Sequence, residues 1–342
     1  MTVSPLVIPI FIPHSGCPHQ CVFCNQIAIT GQKAFLPDAA RVADIIETYL
    51  AHSMPRSRVE VAFFGGNFLG LAPGQISGLL KSVRPFLDTG VVHGIRFSTR
   101  PDTVTKDRLE QIGTYPVSLV ELGVQSMDDQ VLAKVNRGHT RKDTCRAMDL
   151  LGAYNMNAGV QIMAGLPGDT REGVIQTAQV LADMHPKTAR IYPALVLKNT
   201  RLARWYQNGS YQPLTLDQAV DITSRVYGVF NQAGVTVIRM GVHVSDAQMG
   251  SILAGPWHPA FGHLVLSRIL YREIIGKIQA LGTSQVSGSI QLRIHPSKES
   301  RLRGDRNSNL RRVEKKFPGM DFRVWPDPAL ATDQVKIVKI PA

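Results

Sequence analysis

Between residue 6 and about residue 235 the chain alternates short apolar runs with helical patterns, and it does so six times. Residues 7–12, 59–64, 94–98, 117–123, 159–163 and 189–192 are short, apolar, bounded by turn residues, and read as strands. Residues 42–50, 76–86, 105–112, 128–135 with 141–154, 170–184 and 216–233 carry apolar side chains at helical spacing, and Asp38 stands where the first of them would be capped. A further apolar run covers 235–240. Such alternation predicts a parallel sheet with helices packed on it. Right-handed crossovers then bring every strand's C-terminal end to one edge, where α/β folds carry their sites. Six units predict an α/β fold of the partial (β/α)6 barrel type, open at one side, rather than a closed eight-fold barrel.

The chemically unusual residues fall just after those strands. The first such stretch is Cys17-Pro-His-Gln-Cys21-Val-Phe-Cys24, spaced C-x3-C-x2-C. A 4Fe–4S cube has four irons, each wanting a terminal ligand, and protein clusters usually fill all four with cysteine. Only three thiols are local. The fourth cysteine, Cys145, lies far along the chain on an amphipathic helical pattern with Met148 and Leu151 and reads as core. The donor set therefore suits a 4Fe–4S cluster with one iron left open to a substrate or cofactor. The rival is a zinc site with His14 or His19 as fourth ligand, but structural zinc takes two separated ligand pairs and no second pair exists. Four cysteines, three of them clustered, do not make a disulfide framework for 342 residues. After the next strands come Gly65-Gly66-Asn67, Ser98-Thr-Arg100, Gln125-Ser126, the Gly165-Leu-Pro167-Gly168 loop and Tyr192-Pro193. Glu121 is a carboxylate inside an apolar strand and needs a partner, for which Arg100 is a candidate. Residues 136–140 read as a loop, with Gly138 as helix cap.

The cysteine spacing resembles the defining motif of the radical S-adenosylmethionine (SAM) superfamily. More specifically, Ser-Thr-Arg-Pro-Asp at 98–102, Glu-Leu-Gly-Val-Gln-Ser at 121–126, Asn-Arg-Gly-His-Thr at 136–140, Ile-Tyr-Pro-Ala-Leu-Val at 191–196 and Trp-Tyr-Gln-Asn-Gly-Ser-Tyr at 205–211 resemble, in order, the radical SAM domain of the Elongator catalytic subunit. The resemblance covers roughly residues 6 to 275. It implies cluster ligands Cys17, Cys21 and Cys24, SAM chelated at the open iron, and cleavage of SAM to a 5′-deoxyadenosyl radical. It implies a SAM pocket shaped by Gly65, Gly66, Asn67, Ser98, Arg100, Glu121, Gln125, Gly165, Pro167 and Gly168. The family more often has Ser, Thr or Glu where Asn67 stands, so the glycine backbone carries over more firmly than that side chain. Those relatives modify the wobble uridine of tRNA with an acetyl group from acetyl-CoA. The first cysteine gap is shorter here, Lys198-Asn-Thr200 replaces Arg-Gly-Thr, and only 65 residues follow Lys277, so acetyl-CoA chemistry is not expected.

The chain is basic, with formal charge +12, and half of that excess lies in residues 285–342, where twelve Lys/Arg face six Asp/Glu. Two domains are expected, a barrel over 1–284 with a helical extension and a small basic α+β appendage over 285–342. The appendage's strand–helix–turn–helix–strand order resembles the KH module, whose G-x-x-G loop clamps a nucleic-acid backbone. Here that loop is Gly304-Asp-Arg-Asn307, and Arg303, Arg306, Arg311 and Arg312 are the expected phosphate contacts. The expected partners are tRNA or another RNA and an electron donor such as ferredoxin or flavodoxin. No apolar run is long enough to span a membrane, residues 1–13 lack the features of a signal peptide, and reduced clustered thiols point to the cytoplasm. The rival functions are a radical SAM enzyme on a small molecule, such as a porphyrinogen oxidase, and a zinc-bearing, non-catalytic RNA-binding protein.

Overall fold

The computed structural model describes residues 5–26, 35–54, 56–242, 244, 246–281, 288–332 and 334–340. The chain divides into two compact units, Met1–Trp257 and His258–Ala342.

The first unit is built on one sheet of seven parallel strands: β1 (Leu6–Phe11), β2 (Val59–Phe64), β3 (Gly94–Thr99), β4 (Val117–Gln125), β5 (Ala158–Ala164), β6 (Thr188–Pro193) and β8 (Thr236–Met240). They pair in sequence order, and among the described residues the edge strands β1 and β8 do not pair with each other. The result is a curled, open half-barrel with helices outside, as the alternation predicts, with 235–240 adding a seventh strand. A two-residue strand β7 (Val196–Leu197) pairs antiparallel with β9 (Ile252–Ala254) outside that sheet. The helices are α1 (Ala39–His52), α2 (Pro73–Asp88), α3 (Lys106–Ile112), α4 (Asp129–Lys134), α5 (Arg141–Ala153), α6 (Arg171–Ala182), α7 (Arg201–Gln207) and α8 (Leu216–Gln232). Side-chain oxygens start most of them: Asp38 accepts from Arg41 N, and Thr105, Thr140, Thr170, Thr200 and Thr215 cap in the same way.

Strand alternation decides what lies on each face. Ile8, Ile10, Val61, Phe63, Ile95, Phe97, Val120, Leu122, Val160, Ile162 and Ile191 face the helices and form the main core. Phe63, Phe68 and Phe97 stack with centroids 5.1 and 4.5 Å apart beneath the loop after β2. The opposite, inner face carries charge. Glu60, Arg96 and Glu121 are buried there, with Arg190 beside them. Arg96 donates to Glu121 at 2.7 and 3.0 Å and approaches Glu60 at 3.5 Å. Arg190 reaches across β5 to Glu121 and lies 5.2 Å over the Phe64 ring. Glu121's partners are thus Arg96 and Arg190. Arg100, the partner expected from sequence, is paired with Asp102 at 2.9 Å.

The second unit comprises α9 (Phe261–Ala280), β10 (Gly288–Ile294), α10 (Glu299–Arg303), α11 (Ser308–Lys316), β11 (Met320–Pro326) and β12 (Val335–Ile340). Its sheet runs β11-β10-β12, with β11 parallel and β12 antiparallel to β10. The expected boundary at 284/285 lies outside the described residues, and the compact units part instead between Trp257 and His258. A three-stranded sheet with two short helices leaves apolar surface bare. Helix α9 covers it, adding Ile274, Ile275 and Ile278 to a core of Ile290, Leu292, Leu302, Val313 and Phe322. Among the described residues no helix is long and apolar enough to cross a membrane.

Candidate active site

The cysteine loop leaves β1 at the C-terminal edge of the sheet, as the alternation requires. It is held from several sides. Val22 N donates to Val135 O at 3.0 Å, and Leu202 N donates to Val22 O at 2.8 Å. Asn136 Nδ2 donates to Gln20 O at 3.0 Å, and Asn25 Nδ2 to Lys198 O at 2.8 Å. Within the loop Cys24 N donates to Cys21 O at 3.0 Å. Cys21 is buried and Cys17 and Cys24 are half-buried, all three as free thiols. Burial pushes the Cys17 thiol up, with the Arg137 guanidinium pulling the other way. Burial also pushes Cys24 up to about 12, with the Cys21 and Cys17 sulfurs close enough to add to the effect. Among the described residues no three His, Cys, Asp or Glu side chains stand at the spacing of one metal ion.

The Gly65-Gly66-Asn67 turn packs directly against this loop. A Cβ at Gly66 would stand 2.5 Å from Ile12 O and 2.7 Å from Ser15 O, both backbone atoms that cannot yield. Asn67 N donates to Ser15 O at 2.8 Å. The Asn67 side chain is fully buried and both its ends are used. Nδ2 donates to Gly16 O at 2.7 Å, while Oδ1 accepts from Arg100 N at 2.9 Å and from the Thr99 and Thr103 hydroxyls at 2.8 Å each. Its position ties the residue before Cys17 to the end of β3.

The other expected cofactor residues divide in two. Glu121 is saturated by Arg96 and Arg190 and acts as the keystone of the inner-face ion network. Ser98 is half-buried at the end of β3 and lies in register with Glu121. Arg100 is buried, and its Nη1 has no partner. Gln125 holds a left-handed φ of 72° at a β4 bulge and accepts from Gln161 Nε2 at 3.0 Å. Gly165 O accepts from the Tyr211 hydroxyl at 2.7 Å, Pro167 is buried and Gly168 is exposed. Burial raises Tyr211 to about 12, keeping that donor protonated.

Two residues of the 136–140 loop were not singled out by sequence reasoning. Arg137 is buried and donates from Nη1 to Cys21 Sγ at 3.4 Å and from Nη2 to Gly123 O at 2.6 Å. His139 is buried with Nε2 at 3.2 Å from Val124 O, and its Nδ1 has no partner. Burial, reinforced by Arg137 and Arg100, lowers His139 to about 3, so the ring is neutral. The helix-capping part expected of Gly138 belongs to Asn136, with φ of 54°. Gly138 instead lies against the cysteine loop: a Cβ there would stand 2.1 Å from the His19 ring. The signal available in the sequence was an Arg–Gly–His run too polar for its buried surroundings, and only the fold supplied those surroundings. Of the histidines weighed as a fourth zinc ligand, His14 has its Nε2 engaged by Gln26 N at 3.0 Å, and His19 is exposed.

The radical SAM superfamily model matches residues 11–181, half of the chain, and the radical SAM C-terminal domain model matches residues 186–270. The chain belongs to the radical SAM superfamily and is an enzyme. Similar curated proteins include a "tRNA uridine(34) acetyltransferase" of Dehalococcoides mccartyi, 27% identical over 58% of this chain and 50% of that protein. Another is the mouse "Elongator complex protein 3", 26% identical over 52% of this chain and 36% of that protein. Among solved structures, the archaeal Methanocaldococcus infernus Elp3 superposes with a TM-score of 0.63 at 20% identity, covering 80% of this chain and 63% of that one. The chain spans about half the length of the first of these relatives.

Proposed function

We propose that this enzyme carries a 4Fe–4S cluster on Cys17, Cys21 and Cys24, binds SAM beside it, and modifies RNA, with tRNA as the first candidate. The observation that carries the reading is the loop itself: three thiols at the C-terminal edge of a radical SAM half-barrel, with the buried Arg137 guanidinium donating to one of them. Three thiolates fit a cluster with an open iron, and His14 is engaged elsewhere. When bound, such a cluster supplies one electron to SAM and yields a 5′-deoxyadenosyl radical. The chain's own part is to bind and orient. The Gly65–Gly66 backbone, Ser98, the unpartnered Nη1 of Arg100, Gln125 and the Gly165–Gly168 loop line the same sheet edge and are the proposed SAM contacts. A ferredoxin or flavodoxin as electron donor and a cytoplasmic location belong to the same reading.

RNA as substrate draws support from the relatives named for tRNA uridine 34 and from the basic second unit. There a helix–turn–helix joins the parallel strands β10 and β11. Asn307, standing where a KH loop has its second glycine, takes the left-handed conformation with φ of 61°. Arg306, Arg311 and Arg312 are exposed around it, while Arg303 is half-buried against Glu299 at 2.7 Å. The uridine acetylation in the relatives' names is not carried over, because the chain matches only part of their length.

The test is anaerobic reconstitution with iron and sulfide, followed by reduction, addition of SAM and assay of 5′-deoxyadenosine. Close to four irons per chain with 5′-deoxyadenosine formed is the expected result, and stoichiometric zinc with intact SAM would refute it. For the RNA part, Arg311→Ala with Arg312→Ala should weaken tRNA binding and lower the salt slope by about 1.4–1.8, at roughly 0.7–0.9 per lost phosphate contact. Unchanged affinity and slope would remove the second unit from the proposal.

A further inference from the structure

The β11-β10-β12 sheet of the second unit has one face turned to its helices and one face turned away. Strand alternation sends Ile290, Leu292 and Phe322 into the core shared with α9, α10 and α11. Their neighbours along each strand point the other way. Strand pairing sets those neighbours in cross-strand rows: Trp325, Arg293 and Lys336 share one row, and Arg323 stands beside Gln291 in the next. Trp325, Arg323 and Lys336 are exposed, and Arg293 and Gln291 are half-buried, so this face is open. Trp325 is 53% exposed, whereas the chain's other two tryptophans, Trp205 and Trp257, are half-buried. The large area of a tryptophan ordinarily goes to a core or an interface. One exposed apolar side chain needs no explanation by itself, but this one stands in register with two cations. Arg293 is held on the face by Gln291, to which its Nε donates at 2.9 Å, and its Nη1 lies 3.8 Å from Asp327. Arg323 is paired with Asp321 at 2.8 Å.

We propose that this open face is a platform for unpaired RNA bases, with Trp325 stacking on a base while Arg293 and Lys336 take the phosphates beside it. A sheet face with an exposed aromatic offers a π-surface to any base that is not already stacked inside a duplex, and such stacking tolerates any sequence. The strand spacing puts Lys336 roughly 10 Å from Trp325, across Arg293, within a lysine's reach of the phosphates flanking such a base. Charge complementarity favours a polyanion, because residues 285–342 hold twelve Lys/Arg against six Asp/Glu. A protein partner fits less well, since the cores of protein interfaces are depleted in lysine and in charge generally. A second copy of the chain would bring the same cations together. The platform rests on the RNA reading above and goes beyond it. Arg306, Arg311 and Arg312 belong to the helix–turn–helix, whose Leu302 and Val313 pack on the opposite face of the sheet. Those arginines read phosphates, whereas the open face would select single strands over duplex.

The experiment measures binding of a short fluorescently labelled oligouridylate to the whole chain by anisotropy, over a range of salt, for wild type, Trp325→Ala, Trp325→Phe and Lys336→Gln. A base-free ribose-phosphate strand of the same length and an RNA duplex are the comparison probes. Trp325→Ala should weaken oligouridylate binding about 5- to 150-fold at an unchanged salt slope, and Trp325→Phe should recover most of the loss. The base-free strand and the duplex should respond to Trp325→Ala less than about twofold, because neither offers a free base. Lys336→Gln should lower the salt slope by about 0.7 on both single strands. A wild type that binds oligouridylate and loses less than twofold in Trp325→Ala overturns this inference and leaves the RNA reading intact. An equal loss on the base-free strand overturns it as well, since the effect would then not be stacking. A change of solution mass in Trp325→Ala assigns the face to a second copy and overturns it too. A wild type that binds neither oligouridylate nor tRNA overturns both readings. Should circular dichroism show Trp325→Ala unfolded, Trp325→Leu keeps apolar bulk without the π-face and should show the same loss. No loss there overturns the inference equally.

Discussion

Replacing Asn67 with alanine should unfasten the cysteine loop from the sheet. Two backbone groups lose their partners, Gly16 O and Arg100 N–H, which now meet the amide at 2.7 and 2.9 Å. The Thr99 and Thr103 hydroxyls lie 3.0 Å apart and can satisfy each other. Each stranded buried group costs about 1–3 kcal/mol, so the pair costs roughly 2–6 kcal/mol, with a centre of about 4. That is a large share of a total stability of about 5–15 kcal/mol. Urea unfolding of the iron-free protein, followed by circular dichroism, measures it. At an m-value of about 2 kcal/mol/M the midpoint should fall by about 2 M. Reconstituted iron should fall too, because Gly16 precedes Cys17. A midpoint drop below about 0.5 M would refute the view that this amide, rather than the glycine packing around it, joins the loop to β3.

Two further predictions follow from buried charge. Glu121→Ala strands Arg96 and Arg190 on the inner face and should cost about 3–5 kcal/mol, lowering the melting temperature on the order of 10 °C; an unchanged melting curve would show that the network relaxes into water. Asp169, at the end of the Gly165–Gly168 loop, is raised to about 6 by burial, and its Oδ2 has no partner. A raised folded-state pKa means the folded form prefers the protonated acid, so this contribution is fully present below about pH 4 and is lost as pH rises through about 6. Asp169→Asn should therefore match wild type near pH 4 and exceed it by about 1–2 kcal/mol at pH 7, the full linkage being reduced for partial exposure. Stability curves measured across that range decide it, and a gain that does not grow with pH would count against the assignment.

The ordered strands, most helix starts and the place of the cysteine loop after the first strand were legible in the chain because they depend on local pattern. Apolar runs of strand length, apolar spacing of helical period, Thr and Asp at caps, and three thiols within eight residues need no knowledge of distant neighbours. Site residues at strand ends were legible for the same reason: parallel winding dictates which edge they share. What stayed hidden were pairings across the sheet. Glu121 is separated from Arg96 by 25 residues and from Arg190 by 69, and nothing local distinguishes those arginines from Arg100. The extent of the second unit was hidden as well, because whether α9 belongs to it depends on which sheet its isoleucines cover.

The sequence by itself therefore determined the class of fold, the edge that carries the site and the donor atoms offered there. Only the tertiary structure decided what those donors face. Asn67 became a tie between the cysteine loop and the sheet because Gly16 and β3 arrive at its two ends. Arg137 became the neighbour of Cys21, 116 residues away, because the turn after α4 folds back under the loop. Burial and charge compensation are properties of a folded interior, and a residue's type does not state which charge it will be buried beside.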